Sequence, residues 1–166
     1  MDPLLDEKIV LTLARGFSEY LATTIYIAAE KEAYGPSKNE GLCFESVTAL
    51  GFSGDVEGVI YFCMDGYTRM KILPRIADQF QVDAREKGMA DSILMEFGNH
   101  LAAGIVNELQ EGGFQIWLDP PENLSHKIVP VDLNLFRQYM LIFFLSDRRL
   151  KQYMGRITVV LKIKKF

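Results

Sequence analysis

The sequence predicts an α+β fold in two layers, a pseudo-duplicated arrangement of two long helices packed on a largely antiparallel sheet. Three observations lead there. Apolar residues recur at helical spacing over two long stretches, Leu5 to Ile25 and Met89 to Glu111, which gathers them on one side of a helix. Between and after these stretches lie short runs rich in Val, Ile, Phe and Tyr, bounded by Gly, Pro and Asp, which suit strands and reversals. The halves also echo one another, since Val59-Ile60-Tyr61-Phe62-Cys63-Met64-Asp65 resembles Met140-Leu141-Ile142-Phe143-Phe144-Leu145-Ser146-Asp147. On this reading residues 1–166 form one domain, with pseudo-repeats of about 1–83 and 84–166.

The elements follow in order. Asp2 suits the cap of the first helix and Pro3 its first turn; the stripe Leu5, Ile9, Leu13, Phe17, Leu21, Ile25 carries that helix to an expected end near Ala33, before Gly35-Pro36. Leu42 to Phe52 and Gly58 to Met64 read as a hairpin joined by Ser53-Gly54-Asp55-Val56-Glu57. Tyr67 to Gln79 reads as a second helix, interrupted or kinked at Pro74, which lacks an amide donor. A linker from Val82 to Gly88 leads into the helix Met89–Glu111, stopped by Gly112-Gly113. A short strand near Phe114 to Leu118, a turn at Asp119-Pro120-Pro121 and a strand through Lys127 to Val131 follow. Gln138 to Ser146 and Arg156 to Ile163 close the sheet.

Composition narrows the function. With 166 residues, 49% of them apolar, the chain supports one core and is short for two. The net charge of −4 argues against nucleic acid, whose binding needs clustered cations to displace counterions. The basic residues Arg148, Arg149, Lys151, Arg156, Lys162, Lys164 and Lys165 do cluster, and the last of them read as the wet face of a strand whose Leu161 and Ile163 point inward. No run approaches the ~20 apolar residues of a membrane span. The start, Asp2-Pro3 with acids in the first turn, does not read as a secretory signal, so the expected location is the cytoplasm. Cys43 and Cys63 lie in strand-like runs without metal-ligand spacing and read as reduced core residues.

The part most suited to chemistry is Asp91-Ser92-Ile93-Leu94-Met95-Glu96-Phe97-Gly98-Asn99. At about 100° per residue, Ser92, Glu96 and Asn99 form one narrow stripe opposite Ile93, Leu94, Phe97 and Leu101. A polar helix side is ordinarily only solvated. Here, however, Ser92, Gly98, Asn99, His100, Gly104 and Asn107 are mediocre or poor helix formers, where a face chosen for solubility would carry Glu, Lys, Gln or Arg. Ala103, on the same side, is too small to obstruct a docking protein. His100 stands beside the stripe and, lacking further ligands at metal spacing, reads as a surface residue at the rim of that face.

Ser92, then three residues, Glu96, two residues and Asn99 match the signature of the CheC, CheX and FliY chemotaxis phosphatases. Leu94 to Asn99 and the Gly54-Asp55-Val56-Glu57-Gly58 hairpin are similar to that family as well. The chain is identified as a CheX-like member of it. The likeness spans most of the sequence. Pro120 and Pro121 follow Asn99 after 20 and 21 intervening residues, one or two short of the family spacing, so the strict signature is not met and either would take the family proline's role only through a small shift. Glu19 is followed by Leu21 and Ala22 rather than an asparagine, so the first helix carries no second site, which resembles CheX more than CheC.

The resemblance implies an aspartyl-phosphate phosphatase acting on a CheY-like response-regulator receiver domain. The receiver brings the phosphoryl group and Mg²⁺, and this chain binds no cofactor or metal of its own. Asn99 would orient the attacking water, because an amide both donates and accepts. Glu96 would pair with the receiver's lysine, since a water-exposed carboxylate is a feeble general base. Ser92 either supports passage of the partner loop or caps the early helix; Ala103 and His100 complete the partner face. A homodimer through the C-terminal sheet strands is expected, as unpaired apolar edges attract partners. The rival reading is a non-catalytic CheX-like module that recognises a receiver or another signalling protein, as FliM resembles the fold without the catalytic pair.

Overall fold

The computed structural model describes residues 3–36, 42–129 and 132–165; Asp2 lies outside them. Helix α1 (Pro3–Thr24) is followed by strands β1 (Ile27–Pro36), β2 (Leu42–Cys43), β3 (Ser46–Gly54) and β4 (Gly58–Met64). Then come helices α2 (Gly66–Phe80) and α3 (Met89–Glu111) and strands β5 (Ile116–Leu118), β6 (Glu122–Asn123), β7 (Ile128–Val129), β8 (Phe136–Asp147) and β9 (Tyr153–Lys164). The expected α+β class is what the structure shows: among the described residues three helices lie with an antiparallel sheet of seven strands, in the order β1-β8-β9-β4-β3-β5, with β6 also pairing β3. Around the central β4 and β9 pair, β3 and β8 stand in equivalent places, as do β5 and β1.

The helical layer rests on the sheet through the α1 stripe. Ile9, Leu13, Phe17 and Leu21 are buried, and the Phe17 ring meets Phe62 of β4 and Phe143 of β8 at centroid distances of 6.2 and 4.4 Å. Gly16 lets α3 approach, since a Cβ there would lie 3.1 Å from Ile105.

Helix α1 ends at Thr24, nine residues short of the expected Ala33. Residues Ile27–Pro36 form a strand instead, paired with β8 from Ile27 opposite Asp147 to Pro36 opposite Tyr139. Thr23-Thr24-Ile25-Tyr26-Ile27 is a β-branched and aromatic run that loses side-chain freedom in a helix and fits a pleated surface. Ile25 is buried and keeps to the stripe, so periodicity alone did not mark the break. Tyr26 makes the corner in the left-handed conformation, at φ 56.

Two further expectations are refined. The run Leu42 to Phe52 is not one strand: Leu42 and Cys43 pair with Val129 and Ile128 in a separate two-stranded sheet. Helix α2 continues through Pro74, on its exposed side, and its start is capped by the Asp65 carboxylate, which accepts from the Thr68 amide at 2.8 Å.

The sheet face away from the helices is not wet along β9. Val47, Ala49, Tyr61, Cys63 and Val160 form a second cluster there, with Phe44, Val59 and Leu124 against it. Lys162, expected on a solvated face, is only 4% exposed, its ammonium over the rings of Phe136 and Tyr61 at 5.1 and 5.5 Å. Burial lowers its pKa. The neighbouring cations are matched locally, Arg156 by Glu32 at 2.7 Å and Lys164 by Glu57 at 3.4 Å. Burial pushes the Cys63 thiol up to about 12, which keeps it protonated and unreactive near neutrality; the Cys43 side chain lies outside the described residues.

Strands β8 and β9 are interior, each with neighbours on both sides. The expected open edge in the C-terminal strands is therefore absent, because β1, read as helix from the sequence, covers β8. The sheet ends in β1 and β5. Among the described residues no helix is long and apolar enough to cross a membrane.

Asp147 ties three elements together at the end of β8. It accepts from the amides of Leu150 and Arg149 at 2.6 and 2.8 Å and pairs with Arg75 of α2. The Leu150 amide first, and then Arg75, hold its carboxyl at about 2, below the ordinary aspartate range. A carboxyl depressed in the folded state contributes stability above the unfolded value, and that contribution is lost as pH falls through the folded one. The urea midpoint should accordingly drop between about pH 4 and pH 2, and Asp147→Asn should lower the neutral midpoint and flatten the acid limb. An acid limb unchanged by the substitution counts against this.

Candidate functional site

Helix α3 carries the stripe because its apolar residues fix its rotation. Ile93, Leu94, Phe97, Leu101, Ala102 and Ile105 are buried, which turns Ser92 and Glu96 outward, with Asn99 and Ala103 half-buried beside them. At Gly98 the helix backbone sits directly on β3: a Cβ there would lie 2.9 Å from Thr48 Cγ2 and 3.5 Å from the Phe62 ring. The residue next to Asn99 thus sets how close the helix comes to the sheet. Both ends are secured by ion pairs, Arg69 with Asp91 at 3.1 Å and Arg15 with Glu108 at 3.0 Å. Arg69 also donates to Ser46 Oγ at 3.0 Å.

Each sequence-derived candidate has a definite place. The Ser92 hydroxyl donates to the Gly88 carbonyl at 3.2 Å, which serves the helix start, where Gly88 provides no side-chain cap. Glu96 is exposed, with its Oε1 2.8 Å from His100 Nε2. Asn99 lies one turn beyond Glu96 on the same side. Strand β6, directly after Pro120-Pro121, pairs with Thr48 and Ala49, so the proline segment leads to the stretch of β3 under Gly98, and β6 packs against α3.

Sequence reasoning missed the flanks of the stripe. Tyr20 of α1 packs on Phe97 with centroids 5.6 Å apart. Burial raises its phenol pKa, a hydrogen bond with Thr24 opposes this, and the charge of Glu96 adds to it. Phe80 of α2 meets His100 edge-on at 5.3 Å. The Glu96–His100 pair was legible as i, i+4 spacing; Tyr20 and Phe80 come from other helices and left no local signal. Among the described residues no three or more His, Cys, Asp and Glu are grouped to hold a metal ion. The candidate site is an open helix face on which an exposed carboxylate and a half-buried amide stand one turn apart.

The fold is shared with chemotaxis proteins. A crystallised chemotaxis protein CheX from Desulfovibrio desulfuricans aligns at a TM-score of 0.76 and 13% identity, over 94% of this chain and 99% of that one. The CheX-CheY-BeF3-Mg²⁺ complex from Borrelia burgdorferi aligns at 0.69 and 20% identity, over 95% and 98%. Thermotoga maritima FliY aligns at 0.60 and 12% identity, over 99% and 92%. No curated protein sequence matches the chain. The fold is thus the one these chemotaxis proteins share. Residues 46–145 match the family profile described as chemotaxis phosphatase CheX, and the chain belongs to that family.

Proposed function

We propose that this chain accelerates hydrolysis of the aspartyl phosphate on a CheY-like receiver domain in the cytoplasm. Asn99 orients the attacking water, Glu96 docks to the receiver lysine, and Ser92, Ala103 and His100 border the contact. The observation that carries the reading is the exposed Glu96 and half-buried Asn99 one turn apart on a helix face seated on the sheet at Gly98. Support also comes from the Borrelia burgdorferi relative, crystallised with CheY, BeF3 and Mg²⁺; for this chain the metal would belong to the receiver. Phosphoryl transfer is accelerated almost wholly by positioning and electrostatics, so one amide and one carboxylate suffice on this side of the complex. Residues 1–166 act as one pseudo-duplicated domain, and a homodimer would form through the β1 end of the sheet; a monomer by light scattering at micromolar concentration counts against that assembly.

The test is loss of phosphate from acetyl-phosphate-labelled receivers with and without the chain. Faster decay supports the phosphatase, and binding without faster decay supports the non-catalytic recognition module. Glu96→Ala should raise KM about tenfold, as expected for removing one partner of a docking charge pair, while kcat changes little. An unchanged KM would remove the docking role.

A further inference from the structure

We infer that His100 is a positioning residue that holds one carboxylate oxygen of Glu96 and thereby aims the other at the receiver's cation. The inference deepens the phosphatase reading and rests on it. His100 Nε2 lies 2.8 Å from Glu96 Oε1, with the two side chains 50% and 55% exposed. A pair so open to water adds little to fold stability, so its effect is on geometry. The imidazole is oriented from outside α3, because Phe80 of α2 meets it edge-on at 5.3 Å and itself packs against the main core. Phe80, His100 and Glu96 thus form a line of contacts from the core to the docking carboxylate.

An exposed glutamate samples many rotamers and gives up that freedom when it docks. With Oε1 already engaged, part of that loss is incurred before the partner arrives. A carboxylate accepts at both oxygens, so Oε2 remains for the incoming ammonium, which does not have to displace the histidine. The ring of Tyr20, packed on Phe97, borders the stripe on the α1 side.

Two measurements test this. In the free chain, NMR side-chain couplings of Glu96 should report one dominant rotamer in the wild type, averaging in His100→Ala, and recovery in His100→Gln, whose amide also donates. With acetyl-phosphate-labelled CheY-type receivers from the same cell, His100→Ala should raise KM about fivefold at unchanged kcat, a coupling within the range of contacting residues. His100→Gln should stay near wild type, and His100→Ala should add nothing to Glu96→Ala. A freely averaging Glu96 in the wild type overturns the inference, as does a fall in kcat at constant KM, or an additive double variant. A Glu96 that is fixed in a chain binding none of the receivers overturns the docking reading, and this role with it.

Discussion

Asn99→Ala should lose roughly 10²-fold or more in turnover, the scale seen when one positioned polar group is removed from a reacting centre. That is a barrier increase of about 2.7 kcal/mol. The substitution isolates chemistry from folding. Asn99 is half-buried on the outer part of α3, so truncating it opens no core cavity, and alanine is the better helix former. The denaturation midpoint should be unchanged or slightly higher, and affinity for the receiver nearly intact. Stopped-flow or radiolabel decay of the phosphorylated receiver separates kcat from KM; a variant working at the wild-type rate would remove the water-orienting role.

Gly98→Val should destabilise the fold by about 1–3 kcal/mol, the usual effect of forcing bulk into a packed interface, and should slow turnover as well. The space for a side chain is not there: a single Cβ would already stand 2.9 Å from Thr48 Cγ2, and valine adds two methyl groups. Threonine has a short, stiff side chain, and β3 is held between β4, β5 and β6, so the sheet cannot recede. The helix must lift instead. Replacing glycine in a helix gains a few tenths of a kcal/mol in propensity, too little to reverse the sign. Because Glu96 and Asn99 flank Gly98, the lift carries both away from their partner atoms, and misplacement by an ångström is costly in positioning catalysis. Urea titration gives the first effect and receiver decay the second. A stable, fully active Gly98→Val chain would show that the close seat of α3 has no bearing on the site.

How far the sequence went depends on whether the deciding interaction is local. The α3 stripe was readable because its apolar and polar sides follow one period, and the boundaries Met89 and Glu111 fell where Gly88 and Gly112 place them. The end of α1 was not, since Ile25 continues the spacing although the helix has already ended at Thr24; what stabilises β1 is the ladder with β8, more than a hundred residues away. The same distant pairing made β8 look like an open edge. Lys162 read as solvated for a related reason: alternation along β9 says which residues share a face, but the aromatic cover over that face comes from Tyr61 and Phe136. At the site, Glu96 and Asn99 were visible as a motif and His100 only as a neighbour. Phe80 and Tyr20 became visible once three helices were assembled.

The pairing of Ile27 with Asp147 bears on how the chain matures during synthesis. The N-terminal half has its own helix and hairpin, yet its β1 strand has no ladder to join until residues 139–147 of β8 have left the ribosome. A cut between Val82 and Gly88 would yield two fragments that each lack an outer strand and must complement one another to complete the sheet.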